Sequence, residues 1–137
     1  LGLAVRPRTL EGKDLEYATL DQPLERNDCT VRAVAVVCGA GYLTAYNAVA
    51  ARGRKARRRF HLERHAADIV DELGGSLRLV RRSGTLARLI ADFPHERLLC
   101  HKRGHAFAVL AGRVSDATSI NVWIRHAWIV TAKGGAA

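Results

Sequence analysis

From Thr30 to Val37 every position except Arg32 is apolar or small. A run this continuous, closed by Gly39 and Gly41, predicts a helix buried nearly all round and central to the domain. Asn27 or Asp28 is its expected N-cap. Leu43 to Arg52 reads as a second helix, with Leu43, Tyr46 and Ala50 on one face and Gly53 as its stop. His61 to Leu73 predicts a third, because Leu62, Ala66, Ile69, Val70 and Leu73 recur at helical spacing before Gly74-Gly75. Leu77 to Val80 reads as a short strand. Thr85 to Phe93 predicts a fourth helix, carrying Leu86, Leu89, Ile90 and Phe93 and ended by Pro94. Beyond Pro94 the composition turns to Val, Ile, Leu, Phe and Trp between Gly or polar turns. Strands are expected over Arg97 to His101, His105 to Leu110, Arg113 to Asp116 and Val122 to Val130. Helices followed by an antiparallel meander give an α+β domain with its helices on one side of a twisted sheet. Pro7 and Pro23 punctuate an irregular arm with one or two short strands. The expected organisation is an arm over residues 1–21, a domain over 22–131 and a tail over 132–137.

Composition changes this picture little. The chain has 137 residues, 48% of them hydrophobic and 26% charged, enough for one domain with its own core. No uncharged apolar stretch reaches membrane-spanning length, and the first ten residues lack the apolar segment of a signal peptide. No membrane association is therefore expected. Cys29, Cys38 and Cys100 are too few for a disulfide framework and fit a reducing, cytoplasmic compartment. The net charge of +9 is local: Arg52, Arg54, Lys55, Arg57, Arg58 and Arg59 supply six of those charges within eight positions. Such a run suits contact with nucleic acid or an acidic protein surface, or serves as a solvated loop.

Candidate chemistry begins at Cys29, on the expected first turn of the buried helix. Unpaired backbone N–H groups there favour thiolate over thiol, whereas a lone cysteine in an apolar helix is otherwise simply packed. The partner comes from the last third of the chain. With Ala111-Gly112 as a two-residue turn, Leu110 opposes Arg113 and Phe107 opposes Asp116. Side-chain alternation then puts His105 and Asp116 on one face as diagonal neighbours, about 7–8 Å apart at Cα. With that face against the helix N-terminus, Cys29 is the nucleophile, His105 the base and Asp116 the group that orients the imidazole. The Cys29 N–H, with Gln22 or Asn27 just upstream, is the expected oxyanion hole.

The segments Arg26 to Ala33 and Gly104 to Val109, with Gly112 and Asp116 after them, resemble the papain-like cysteine peptidases. They are most similar to the short members found in bacteriophage genomes and related to bacteriocin-processing peptidases. The resemblance spans about residues 22–130 and implies a papain-like fold, thiol peptidase or amide and isopeptide hydrolase chemistry, a peptide or protein substrate and no cofactor. It also implies a phage-encoded protein in a bacterial cytoplasm, or a virion component. The family places its oxyanion glutamine six residues before the cysteine; Pro23 stands there in this chain, with Gln22 one residue further back.

Two other readings stand beside this one. Cys100, His101 and His105 are close in sequence, and His61 and His65 lie one helical turn apart, but neither spacing completes a zinc motif, so no metal is expected. His61, His65, His95 and His126 read as surface or partly packed residues. The other is a catalytically idle fold serving in a virion or on nucleic acid through the arginine run.

Overall fold

A computed structural model of the chain describes residues 8–9, 29–54, 60–115 and 121–132. Four helices and six strands lie among them. In chain order they are β1 (Arg8–Thr9), α1 (Cys29–Cys38), α2 (Tyr42–Ala50), α3 (Leu62–Glu72), β2 (Gly75–Thr85), α4 (Leu86–Asp92), β3 (Arg97–Lys102), β4 (His105–Leu110), β5 (Arg113–Val114) and β6 (Trp123–Ala132). The class is α+β. Every helix predicted from the hydrophobic pattern within these residues is present, with ends that differ by one or two positions.

α1 is the buried helix that its composition demands, with Val31, Val34, Ala35 and Val36 fully removed from solvent. Its C-terminus closes in a Schellman motif: Ala40 N–H donates to Ala35 O, Gly39 N–H donates to Val36 O, and Gly39 takes φ +63°. The Arg97 guanidinium finishes the cap from β3, donating to Val37 O and Val36 O at 2.9 Å each. α2 then leaves at a bend of 119°. Among the described residues no single helix is long and apolar enough to cross a membrane.

The six strands form one sheet in the order β1-β5-β4-β3-β6-β2. All pairs are antiparallel except β1 with β5, which run parallel. β3, β4 and β5 are the expected meander. β6 does not continue it but returns to lie between β3 and β2. The strand expected over Leu77 to Val80 is eleven residues long, because β6 pairs with it along its whole length, across a bulge between Leu79 and Arg81.

Helices occupy both faces of the sheet, not one. α1, α2 and α3 share a core with Leu99, Ala106, Ala108, Leu110, Trp128 and Val130. On the opposite face Leu86 and Leu89 of α4 pack with Leu98, Cys100, Phe107, Val109, Ile124 and Ile129. Central strands that are apolar at successive positions, such as Leu98-Leu99-Cys100, need a cover on each side.

The β4–β5 turn fixes the register that the site depends on. Leu110 opposes Arg113 and Val109 opposes Val114, around Ala111 and Gly112 at φ +49° and +79°. Both central residues have positive φ, as a two-residue turn matched to strand twist requires. Two stability predictions follow from these contacts. Ala111→Gly relieves a left-handed alanine and raises stability by roughly 0.5–1 kcal/mol in denaturant titration. Arg97→Ala strips the cap from α1 and lowers stability by about 2 kcal/mol in the same titration.

Candidate functional site

Cys29 is the first residue of α1 and is half-buried where that helix meets the beginning of β4. Burial of the thiol acts to raise its pKa. A hydrogen bond with His105, one from the Ala106 backbone, the charge of the His105 imidazole and a hydrogen bond with Thr30 act together in the other direction and prevail. The Cys29 thiol is therefore more acidic than an ordinary cysteine. The other two thiols move the opposite way. Burial pushes Cys38 up to about 11, tempered by the charge of Arg97, and raises fully buried Cys100 further.

Cys29 and His105 meet differently from the sequence-based expectation. α1 packs on the face of β4 formed by Ala106, Ala108 and Leu110. His105 alternates onto the other face, with Phe107, whose ring lies 6.2 Å from it. The pair forms because His105 is the first residue of the strand, next to the Arg103-Gly104 turn, where the edge of the sheet no longer separates the two faces.

Behind His105 the β4–β5 register continues as expected. Ser115 N–H donates to Ala108 O at 2.8 Å, and the Ser115 hydroxyl accepts from Ala108 N–H at 2.8 Å. Asp116, Gln22 and Asn27 lie outside the described residues, as do Asp28, Lys55, Arg57, Arg58 and Arg59. The two described members of the arginine run are engaged within the fold. Arg52 pairs with Glu72 at 3.1 Å and donates to Asp68 O. Arg54 is 6% exposed and lies over the Tyr46 ring, so it offers no guanidinium to an external polyanion.

A cleft of about 300 Å3 opens at Cys29 and His105, bordered by Thr30, Phe60, His61, Glu63, His101, Arg103, Ala106 and Arg125. Its far wall is a polar chain that sequence spacing did not reveal. Cross-strand register aligns Ala106, His101 and His126 in one row across β4, β3 and β6. His101 and His126 are hydrogen-bonded through their Nδ1 atoms at 3.2 Å, and the rings stack, with Trp128 stacked beyond His126. On its other side His101 Nε2 faces Glu63 Oε2 at 3.7 Å, and His61 Nδ1 lies 3.6 Å from Glu63 Oε1. The groups link in a line. Among the described residues no set of three or more His, Cys, Asp or Glu side chains is arranged to hold a metal ion. Burial, with the charges of His126, Arg125 and His61, outweighs Glu63 and keeps His101 less basic than ordinary histidine. His65 instead stacks on Phe60 at 5.0 Å.

A thiolate-forming cysteine hydrogen-bonded to an imidazole, at a helix N-terminus and beside an open cleft, can attack an electrophilic carbonyl and return a proton to the leaving group. The chain matches no family model, curated protein or solved structure.

The three thiols should alkylate in a distinct order. Because the thiolate is the reacting form, iodoacetamide modifies Cys29 at pH 7 and below the range of an ordinary thiol. Cys38 reacts only as pH approaches about 11, and buried Cys100 is slower still. Peptide mapping by mass spectrometry across pH 5–11 reads this directly. Equal rates for Cys29 and Cys38 at pH 7 contradict the assignment.

Proposed function

We propose that the protein is a cysteine-dependent acyl hydrolase with a papain-like arrangement, in which Cys29 is the nucleophile and His105 the general acid and base. The observation that carries this reading is the Cys29–His105 hydrogen bond at the N-terminus of a buried helix, with the net acidification of that thiol. Neither the packing of α1 nor the pairing of β4 needs those two side chains to meet.

The chemistry proceeds in two halves. Cys29 thiolate attacks the carbonyl carbon and forms a C–S bond, while the negative charge passes to oxygen and is held by N–H groups of the first turn of α1. As the carbonyl re-forms, the C–N bond breaks and His105 imidazolium gives its proton to the departing amine. Water then enters, loses a proton to His105 and attacks the thioester. The C–S bond breaks, the acid is released and the thiolate–imidazolium pair is restored. Asp116 is assigned the third role, orientation of the His105 ring. The β4–β5 turn sets the register that would bring Asp116 opposite Phe107. Gln22 and Asn27 remain the proposed side-chain contributors to the oxyanion hole. A peptide or isopeptide bond is the proposed target, and the reaction takes no cofactor.

The alternative of an idle fold acting on nucleic acid or in a virion rests on Lys55, Arg57, Arg58 and Arg59. No contact of the described residues favours it, since Arg52 and Arg54 are used internally.

An activated ester tests the chemistry without knowledge of the substrate. p-Nitrophenyl acetate should place an acetyl group on Cys29, seen by intact-mass analysis and peptide mapping, and the adduct should decay with turnover. His105→Ala should slow acylation by about 10²–10⁴-fold, the usual contribution of a positioned acid–base group. Acylation of Cys29 that is unchanged by His105→Ala would remove the histidine from the mechanism.

A further inference from the structure

The cleft beside Cys29 has an uneven charge. Its one carboxylate among the described residues, Glu63, already faces His101 and His61. Its two guanidiniums, Arg103 on the β3–β4 turn and Arg125 on β6, are exposed, and neither has an ion pair or hydrogen bond among the described residues. Arg125 is close enough for its charge to be felt at His101, inside the cleft. Arg103 is two residues from His105 along the chain, and Ala106, which hydrogen-bonds Cys29, lies opposite His101 in the sheet. The two cations, one on the β3–β4 turn and one on β6, therefore border the same cleft as the reacting sulfur and outnumber its one carboxylate. A concave site with an excess of one sign of charge concentrates ligands of the other sign.

We propose that this cleft selects substrates carrying a carboxylate within a few bonds of the carbonyl under attack, with Arg103 and Arg125 as the residues that recognise it. The proposal rests on the reading of Cys29 as nucleophile and adds to it the class of acyl group accepted. Guanidinium is suited to the task, since its planar fork can donate two parallel hydrogen bonds to a carboxylate.

Paired alkylating probes read this in the full chain. Iodoacetate and iodoacetamide form the same S–C bond with loss of iodide and differ in the carboxylate. Their rate ratio at Cys29 should fall about tenfold or more in the Arg103→Glu, Arg125→Glu double variant, and by a smaller factor in the double Gln variant, as expected for loss of a focused local potential. Arg78→Glu, an exposed charge change on β2 outside the cleft, should leave the ratio within about twofold, because exposed charges beyond a Debye length are screened. Equal effects of the cleft variants and Arg78→Glu overturn the proposal. The ratio is readable even on a slow thiol. A Cys29 that reacts with iodoacetamide no faster than Cys38 therefore defeats the acyl-hydrolase reading, while the ratio still decides this one. Protection of Cys29 from iodoacetamide by a blocked peptide of aspartate and glutamate points to a side-chain carboxylate. Protection by an alanine peptide with a free C-terminus points to a terminal one, and protection by neither overturns the proposal.

Discussion

The packing of α1 along β4 is the constraint from which the rest of the site follows. α1 has no polar face to spare, so it lies between the sheet and the other helices, with its rotation and depth fixed by Val31, Val34, Ala35 and Val36. Its C-terminus is pinned by Gly39 and by Arg97 from β3. Both ends of the helix are thereby referred to the same sheet. The first residue, Cys29, falls where β4 begins, and the first residue of β4 is His105. Two side chains that start their elements meet because the elements are held in register by their cores.

This placement solves an electrostatic problem. A thiol withdrawn from water resists ionisation, and Cys38 and Cys100 show the outcome when burial acts with little or nothing against it. Cys29 is also half-buried, yet the neighbouring imidazole, the Ala106 backbone and Thr30 reverse the sign. Three cysteines in one small domain thus separate into two packing residues and one poised group, by their neighbours and not by residue type.

Much of this was legible in the chain. The apolar run after Cys29, interrupted only by Arg32, located α1, and Ala111-Gly112 located the turn that opposes Leu110 to Arg113. What the chain did not disclose is long-range. Nothing local in Trp123 to Ala132 says that β6 inserts between β3 and β2 instead of extending the meander; that choice is made by the apolar surfaces of both neighbours. The row of His101 and His126 depends on it and could not be read without it. The position of α4 was partly signalled, since Leu98-Leu99-Cys100 is apolar on both faces. The period-two argument also misled in one respect. It put His105 on the face of Phe107, as the structure does, but took that face to lie against α1, which packs instead on Ala106, Ala108 and Leu110. His105 still meets Cys29 because a strand's first residue is not screened by the sheet and can reach around its end.

The central claim is that His105 holds the Cys29 thiolate. Ultraviolet absorbance of the thiolate, titrated from acid to alkaline pH, measures that state without a reagent or a substrate. The account predicts a thiolate signal that develops below the ordinary cysteine range near 8.5, disappears in Cys29→Ser and moves to higher pH in His105→Ala. A titration with no thiolate below that range, or one unchanged by His105→Ala, would contradict it.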